Sequence, residues 1–342
     1  MRMDMKQPEV SVIIPVYNLE KYVARAVESL KAQTFADFEA IVVNDGSTDD
    51  TCAVLARAAG DDCRFVIVDK PNGGAAMARK TGIERAAGRY LCFLDGDDYL
   101  EPDFLERLVT AADDAHCDVV RCNGYIRVAP DYKKIVECQL PENESGYSYI
   151  AGMLCGRETA CLWDKLYARH LFTEHRLKHY STRTGEDLLL NLQIACRNTR
   201  MVNIDYAGYN YVQRRGSAVH DVVSLEQSRE LLEAVEEIFS NNPEAAQAVG
   251  GEMLYAVRGV WEYCRYIERS RNRWAGDEPF VKDLRARAER HRAALRENLP
   301  VADRMMFSLD RRRVLRPAVL VISTVRRWMT SLERRLSGRK RG

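Results

Sequence analysis

Short runs of apolar, mostly β-branched residues alternate with segments of helical periodicity along the first third of the chain. Such a run is typical of a buried strand, and apolar residues at helical spacing, as at Val23, Val27 and Leu30, predict a helix. Asn18 and Ser47 stand where the N-caps of two such helices are expected. The predicted strands are residues 10–14, 40–43, 65–68, 90–94 and 118–121.

The alternation of strands and helices predicts an α/β fold with a mostly parallel sheet that helices cover on both faces. In such sheets, ligands bind at the carboxyl ends of the strands, near a change in strand order. Three polar loops directly follow predicted strands, at residues 15–18, 44–47 and 95–98. We therefore expect these three loops to line one rim of the sheet.

The pattern becomes less regular after about residue 130, where residues 147–167 and 185–197 are predicted to be helical. From residue 224 onward the periodicity is helical only, with two separate apolar faces. These changes predict three regions, which are an α/β domain at residues 1–220, an all-α region at 221–305 and a basic amphipathic tail at 306–342.

The loop Asp95-Gly96-Asp97-Asp98 packs three carboxylates into four residues. Like charges this close are unfavourable unless a cation compensates them. Mg²⁺ or Mn²⁺ would do so and would share its remaining ligand positions with substrate phosphates. A solvated turn is the alternative, whereas a calcium loop is disfavoured because Tyr99 and Leu100 replace a ligand and the required glycine.

The loop at residues 44–47 is open to two interpretations. The Asp45 carboxylate could accept hydrogen bonds from a base or a ribose, but a helix-capping turn would use the same Gly46 and Ser47. The sequence contains no Gly-x-Gly-x-x-Gly motif and no phosphate loop of the Gly-Lys-Ser/Thr type. A Rossmann dehydrogenase and a P-loop NTPase are therefore both disfavoured.

The formal net charge of +1 hides an uneven distribution along the 342 residues. Residues 311–341 hold eleven lysines and arginines against the single acid Glu333. Arginine clusters interleaved with Trp328, Met329 and the apolar residues 319–325 are typical of an interfacial helix on anionic lipid. A solvated tail is the alternative, and a nucleic-acid arm is disfavoured because it would not need the apolar residues.

The ten cysteines include no Cys-x-x-Cys pair, which disfavours a zinc site and indicates reduced thiols in a cytosol. The polar N-terminus does not resemble a secretory signal, and no apolar run reaches the ~18 residues that span a bilayer. We therefore expect a cytoplasmic protein that is peripheral on the inner face of the cell membrane if its tail binds lipid.

Several motifs occur in an order and spacing that together are far more specific than any one of them. The stronger motifs are Val12-Ile13-Ile14-Pro15-Val16-Tyr17-Asn18, Asn44-Asp45-Gly46-Ser47-Thr48-Asp49, Asn72-Gly73-Gly74 with Ala78-Arg79, and Phe93-Leu94-Asp95-Gly96-Asp97-Asp98. The weaker ones are Trp163-Asp164-Lys165-Leu166-Tyr167, Gly185-Glu186-Asp187, and Tyr211 with Arg214-Arg215-Gly216-Ser217. In these motifs the chain resembles glycosyltransferase family 2, from residue 10 to about residue 105 and more weakly to about residue 220.

The resemblance implies a GT-A fold and a metal-dependent, inverting transfer from a nucleotide diphosphate sugar, often a UDP-sugar. Carried over by position, it implies that Asp45 holds the uracil and that Arg79 lies near the donor. It also implies that Asp97, together with Asp95, binds the metal ion, and that Asp98 stays close to the sugar or the metal. The residues implied to lie near the nucleotide are Pro15, Tyr17 and Glu20.

Asp187 matches the family's catalytic base, and it also suits a helix N-terminus, where the macrodipole favours an acid. The chain departs from the family pattern at Asn44, where an aspartate is usual. It departs again at Arg214 and Arg215, where many relatives carry a metal-binding histidine. The two arginines would bind the diphosphate instead, while the nearby lone His220 is more often structural than a ligand.

The implied function is the transfer of a sugar to a hydroxyl group of a glycan or lipid-linked acceptor in surface polysaccharide synthesis. A sugar nucleotidyltransferase is a second candidate, although residues 10–19 lack the Gly-rich loop of that class. A non-catalytic nucleotide-sugar-binding protein is a third, although such a protein would be expected to lose Asp97 or Asp187.

Overall fold

A computed structural model describes residues 7–138, 140–174, 177–180, 182, 185–214, 224–269, 275 and 278–309. The chain divides into two compact units. The first comprises residues 1–149, 160–181 and 186–217, and the second comprises residues 150–159, 182–185 and 218–342. In the described part of the chain, all strands belong to the first unit.

The first unit contains two β-sheets. Its strands are β1 (Val10–Val16), β2 (Phe38–Asn44), β3 (Phe65–Asp69), β4 (Tyr90–Phe93), β5 (Tyr99–Leu100), β6 (Val119–Cys122), β7 (Gly124–Ala129), β8 (Tyr132–Glu137), β9 (Asn143–Ser145), β10 (Lys165–Ala168), β11 (Arg200–Ile204) and β12 (Tyr209–Val212). The larger sheet has the order β3-β2-β1-β4-β10-β6-β11-β9, and the smaller one has the order β5-β12-β7-β8.

Helices separate the strands of the larger sheet. The first seven are α1 (Val23–Lys31), α2 (Thr51–Ala59), α3 (Ala75–Arg85), α4 (Phe104–Ala115), α5 (Gly146–Leu154), α6 (His170–Thr173) and α7 (Glu186–Ala195). The apolar side of α1, which includes Val23, Val27 and Leu30, is buried as its spacing predicted.

β1 lies between β2 and β4 and is parallel to both. Its residues from Val10 to Ile14 are all buried, because a parallel strand covered by helices has no solvent-facing side. The chain adds β2 and β3 on one side of β1 and then crosses to place β4 on the other. This change in strand order occurs at β1 and β4, and α/β proteins bind ligands at the carboxyl ends of the strands at such a point. The predicted α/β fold with a mostly parallel sheet is confirmed.

The prediction of a helix over residues 147–167 is wrong in its second half. The helix α5 ends at Leu154, and residues 165–168 form β10, which runs antiparallel to β4 and β6. Lys165 is completely buried and Leu166 is 1% exposed, so the apolar positions belong to a strand buried in the middle of the sheet. Short apolar runs do not distinguish such a strand from a buried helix.

The smaller sheet was not predicted at all. Its strands are only two to six residues long, and β8 is largely exposed, so they carry little hydrophobic periodicity. Its importance lies in β12, which is parallel to β7 and antiparallel to β5. Because β5 directly follows the loop at residues 95–98, this pairing places β12 beside that loop.

The described part of the second unit is helical, as predicted for residues beyond 224. Ser224 opens the first long helix with a capping box, in which its hydroxyl accepts from the backbone N of Gln227 at 3.1 Å. No helix among the described residues is long and apolar enough to cross a membrane. The helices are α8 (Leu225–Asn241), α9 (Pro243–Val249), α10 (Gly251–Arg269), α11 (Pro279–Arg290), α12 (Arg292–Asn298) and α13 (Val301–Leu309).

We expect Gly82→Ala to lower the free energy of unfolding by about 1–3 kcal/mol because of overpacking. The higher helix propensity of alanine, about 1 kcal/mol, acts in the opposite direction. A Cβ at Gly82 would meet Cγ2 of Ile13 at 2.5 Å and would push α3 away from β1. Urea denaturation followed by circular dichroism measures the change. Thr81→Ala on the same helix is the matched control, and a Gly82→Ala variant as stable as the parent would contradict the close approach.

Candidate active site

The loops that follow β1 and β2 are hydrogen-bonded to each other. The backbone N of Asn18 donates to Oγ of Ser47 at 3.0 Å, and Oδ1 of Asn18 accepts from the backbone N of Thr48 at 2.8 Å. The capping roles expected of Asn18 and Ser47 are therefore wrong. Asn18 instead adopts a φ of +53°, which asparagine tolerates better than most residues, and this conformation joins the loops.

The three residues implied to lie near the nucleotide surround this junction. Tyr17 is 47% exposed, while Pro15 and Glu20 are half-buried. The backbone N of Glu20 donates to Oδ2 of Asp49 at 3.2 Å, and Oε2 of Glu20 accepts from the backbone N of Asp50 at 3.3 Å. Tyr17 therefore offers an open ring at the rim of the sheet, whereas Glu20 ties the two loops together.

Asp45 is buried at the end of β2 and holds the loop that leads into α3. Its carboxylate accepts from the backbone N of Gly73 at 3.0 and 3.1 Å and from the backbone N of Gly74 at 2.7 Å. It also forms an ion pair with Lys70. The carboxylate therefore already has several partners within the protein.

Gly46 makes this close approach possible. It has a φ of +74°, where glycine is favoured, and a Cβ there would meet the backbone N of Asn72 at 2.9 Å. Nδ2 of Asn72 donates to the backbone O of Asp45 at 2.9 Å. Two motifs that are well separated in the sequence are therefore one connected piece of structure.

Arg79 on α3 is the cation that connects the acidic groups of the site. It is 6% exposed, and its Nη2 donates to Oδ1 of Asp95 at 2.8 Å. Its Nη1 lies 3.1 Å from Oδ1 of Asp187 and 3.5 Å from Oε1 of Glu186. Burial alone would lower the pKa of Arg79, but the three carboxylates outweigh it and raise the pKa. Arg79 thus brings the acidic loop and the start of α7 together.

Asp187 lies in the first turn of α7, where one carboxylate oxygen accepts a hydrogen bond and the other forms an ion pair with Arg79. Its Oδ2 accepts from the backbone N of Leu162 at 3.3 Å. Its Oδ1 is buried and accepts no hydrogen bond from any residue that the structure describes. Burial raises the pKa of Asp187 to about 7, an effect that Arg79 opposes and Glu186 and Asp95 reinforce. A carboxyl group with such a pKa suits general base catalysis near neutral pH.

Asp97 forms an ion pair with Arg214 at the end of β12. Its side chain is 19% exposed, and its backbone O accepts from Nη2 of Arg25 at 3.1 Å. Burial and the nearby Asp95 raise the pKa of Asp97, while Arg214 lowers it. The arginine that the sequence implied for a diphosphate therefore lies beside the implied metal ligand.

Asp98 points into the protein. It is 1% exposed, its Oδ2 accepts from the hydroxyl of Tyr209 at 2.8 Å, and its Oδ1 accepts from the backbone N of Val212 at 2.7 Å. The Tyr209 hydroxyl also accepts from the backbone N of Asp95 at 3.1 Å, and its ring stacks on Trp163 at 4.3 Å. Asp98 thus fastens the acidic loop to β12, and this arrangement leaves its carboxylate no open side for a sugar.

The acidic loop fits a divalent cation that also binds phosphate. Five carboxyl groups lie at the acidic loop and the start of α7, where Arg79 and Arg214 pair with four of them. No group of three or more His, Cys, Asp or Glu side chains that could hold a metal occurs among the described residues. Mg²⁺ needs fewer, because it commonly takes one or two carboxylates and completes its shell with water and phosphate. Asp95 and Asp97 supply such oxygens, and the other carboxylates are Asp98, Glu186 and Asp187.

Two of the sequence-derived candidates, Arg215 and His220, lie outside the described residues. Three residues that contact the site were not given a role from the sequence, and they are Lys70, Glu186 and Tyr209. Glu186 could have been found from its position beside Asp187 in the same motif. Lys70 and Tyr209 carry no local signal, since each reaches its partner through the tertiary fold.

Comparison with known proteins gives a family and several relatives. Residues 11–150 match the family described as Glycosyl transferase family 2. The chain is 36% identical over 176 residues to EpsH of Bacillus subtilis, a match that covers 51% of this chain and 51% of EpsH. It is 46% identical over 99 residues to a chondroitin synthase of Pasteurella multocida, covering 29% of this chain and 10% of that protein. The chain thus spans about half of the first relative and a small part of the second.

Two solved structures share the fold. The structure of S. aureus TarS 1–349 in complex with UDP-GlcNAc has a TM-score of 0.62 and 20% identity, with 84% of this chain and 91% of that chain covered. The mannosyltransferase PcManGT from Pyrobaculum calidifontis in complex with GDP-Man and Mn²⁺ has a TM-score of 0.54 and 17% identity, with 93% and 86% covered. At these identities the likeness concerns the fold, and it confirms the expected GT-A architecture.

We expect Asp187→Asn to raise the free energy of unfolding at about pH 8 by about 1–3 kcal/mol. The folded-state pKa of about 7 lies above the ordinary value of 3.8, so ionisation of Asp187 costs stability as the pH rises between these values. The gain should be absent near pH 4, grow up to about pH 7 and then stay constant.

Urea denaturation at a series of pH values measures this profile. The exposed Asp61→Asn is the control, for which we expect no comparable trend. An Asp187→Asn variant that matches the parent at every pH would show that the buried carboxyl group does not cost stability.

Proposed function

We propose that the chain transfers a sugar from a nucleotide diphosphate sugar to a hydroxyl group, as the match of residues 11–150 to the family described as Glycosyl transferase family 2 supports. The observation that carries the proposal is the meeting of Asp187 with the acidic loop through Arg79. The proposed base Asp187 and the acidic loop proposed to bind the metal ion both contact the guanidinium group of Arg79. A transfer reaction needs both in one place.

Asp187 is the proposed general base. It takes the proton of the acceptor hydroxyl, whose oxygen attacks the anomeric carbon from the face opposite the leaving nucleoside diphosphate. A single displacement of this kind inverts the anomeric centre. The pKa of about 7 supports this role, because the carboxylate is largely ionised just above neutral pH and still basic enough to accept a proton.

The leaving group is a nucleoside diphosphate, whose growing negative charge must be compensated. When bound at Asp97 and Asp95, Mg²⁺ or Mn²⁺ supplies positive charge for the diphosphate. Arg214 forms an ion pair with Asp97, and we propose that Arg214 and Arg215 also compensate the negative charge of the diphosphate. Arg79 keeps Asp95 oriented at 2.8 Å while it also faces Asp187.

The nucleoside is proposed to lie over the loops after β1 and β2, beside Pro15, Tyr17 and Glu20. UDP is the proposed nucleotide, and the shared fold with TarS in its UDP-GlcNAc complex supports it. Asp45 is proposed to contact the uracil. Because its carboxylate holds Lys70 and the two loop amides, that contact requires one of these partners to give way.

The acceptor is proposed to be a glycan or a lipid-linked glycan in surface polysaccharide synthesis. The similarity to a chondroitin synthase over 99 residues supports a polysaccharide product. A sugar nucleotidyltransferase and a non-catalytic nucleotide-sugar-binding protein are less well supported. A sugar nucleotidyltransferase does not require a base such as Asp187. A binding protein requires neither that base nor Arg79, which pairs with it.

We expect Asp187→Asn to lower kcat for sugar transfer by about 10²–10⁴-fold, the usual contribution of a general base. We expect Asp97→Ala to lower transfer through weaker binding of the metal and the donor. Screening the chain against nucleotide-sugars with Mn²⁺ identifies the donor, and initial rates with that donor test both variants.

The exposed Asp61→Asn is the matched control and should keep the parental rate. Folding of each variant is checked by circular dichroism. Parental rates in both Asp187→Asn and Asp97→Ala would refute the assigned roles.

The tail at residues 311–341 lies outside the described residues, and its binding to an anionic membrane is a separate part of the proposal. It would place the chain on the cytoplasmic side of the cell membrane, near a lipid-linked acceptor. Nucleic acid is not a proposed partner.

We expect the full chain to float with vesicles that contain phosphatidylglycerol and to lose this binding in high salt, because basic residues contribute about 1 kcal/mol each at an anionic surface. A variant that ends at Leu309, the last residue of α13, should remain at the bottom of the gradient. Vesicles of phosphatidylcholine alone are the control. Equal flotation of the two chains would exclude the tail as the lipid-binding segment.

A further inference from the structure

One face of α7 contacts the chain segment at residues 160–162 at two points. Asp187 and Asn191 lie four residues apart, so their side chains project from the same side of the helix. Asp187 accepts from the backbone N of Leu162 at 3.3 Å. Nδ2 of Asn191 donates to the backbone O of Ala160 at 2.9 Å, only two residues away. The segment is therefore fixed on the helix beside the proposed base.

The amide of Asn191 is itself oriented. Its Oδ1 accepts from the hydroxyl of Tyr167 at 2.8 Å, which turns Nδ2 towards Ala160 and also, at 3.4 Å, towards the backbone O of Cys161. Asn191 and Tyr167 are each 1% exposed. Burial raises the pKa of Tyr167 well above its ordinary value, so its hydroxyl remains a donor at any working pH.

A third contact holds the same turn. Nζ of Lys165, which is completely buried, donates to the backbone O of Cys161 at 2.6 Å. Both carbonyl groups that precede Leu162 are thereby held by buried side chains. The backbone O of Cys161 and the N–H of Leu162 belong to one planar peptide group, so holding that carbonyl through Lys165 and Asn191 fixes where the N–H of Leu162 points.

We propose that Asn191 is a positioning residue for catalysis, which holds the turn at residues 160–162 so that the Leu162 amide keeps the Asp187 carboxylate in one orientation. The inference rests on the proposed role of Asp187 as the general base. With Oδ2 held by the Leu162 amide, Oδ1, which accepts no hydrogen bond among the described residues and faces Arg79 at 3.1 Å, is the oxygen proposed to receive the acceptor proton. Without Asn191 the turn would move, and the carboxylate would sample orientations in which Oδ1 no longer faces the acceptor.

Several charged groups act on Asp187, and the Leu162 amide is a distinct contribution among them. Arg79 from α3 favours its ionised form, whereas Glu186 on the same helix and Asp95 after β4 disfavour it. Lys178 and His179 line the crevice beside it. The Leu162 N–H also favours the ionised form, so its loss should raise the pKa of Asp187 while the charged groups stay in place.

The experiment compares Asn191→Ala with the parent in the transfer assay, using the donor found in the screen. We expect kcat to fall by about 10–100-fold, the effect of a displaced catalytic group, while the KM for the donor stays within about twofold. We also expect the acid limb of the kcat against pH profile to move upward by about one to two units, as for the loss of one hydrogen bond to a charged group.

Ser11→Ala is the matched control for the loss of a buried polar contact. The hydroxyl of Ser11 donates to Oε1 of Glu39 at 2.6 Å and accepts from the backbone N of Gly88 at 2.8 Å, near the start of β1 and away from the site. The Ser11→Ala variant should have a lower unfolding temperature and an unchanged kcat against pH profile. Equal changes in both variants would reduce Asn191 to a purely structural role and overturn the inference.

Tyr167→Phe keeps the amide of Asn191 but removes the group that orients it, so we expect a smaller shift of the acid limb in the same direction. If Asn191→Ala does not fold, this variant decides the question, and an unshifted profile overturns the inference. An active parent with an unaffected Asn191→Ala variant refutes only the positioning role. A parent that transfers no sugar from any donor refutes the proposed function and the positioning role together.

Discussion

The site depends on a buried guanidinium group that is shared by three carboxylates. Arg79 is 6% exposed, and it draws together the loop after β4 and the first turn of α7, which are far apart in the sequence. Charges removed from water are tolerated only when they are paired, and removal of one partner leaves the others uncompensated. Arg79 is therefore a condition for having Asp95 and Asp187 in one place, and its loss would leave both carboxylates without the cation that they share.

The same constraint recurs in the interior of the larger sheet. Arg121 on β6 is completely buried, pairs with Glu144 at 2.6 Å and lies over the ring of Tyr149 at 4.7 Å. Lys165 on β10 is equally buried and pairs with Asp164. These charges are stabilised by partners on neighbouring strands and loops, and the apolar strands around β1 supply the hydrophobic burial that offsets their desolvation. The interior therefore specifies which segments meet, in addition to holding the fold together.

The hydrophobic pattern of the sequence was sufficient to predict those strands and loops whose residues carry a signal within a few positions of each other. The strands β1, β2 and β4 are apolar and largely buried because helices cover both faces of their sheet, so the sequence alone predicts them and the loops at their ends. Asp45, Asp95 and Asp97 lie in those loops and were found with them. What could not be predicted depends on distant partners: β10 is a strand because it is inserted between β4 and β6. The burial of Asp98 depends on Tyr209 and Val212, and the role of Asn18 depends on Ser47 and Thr48.

The attachment of Asp98 to β12 has a consequence for how the chain is made. The ribosome completes the loop at residues 95–98 long before it adds Tyr209 and Val212, the groups that hold the Asp98 carboxylate. During synthesis the ribosome therefore adds more than a hundred further residues before β12 can hold the acidic loop. The same holds for any excised fragment that stops at the end of the family-matched segment, residue 150. Such a fragment would carry the loops after β1, β2 and β4 but would lack β10, Asp187, Arg214 and the strand β12 that fastens the acidic loop, so it would not contain the complete proposed site.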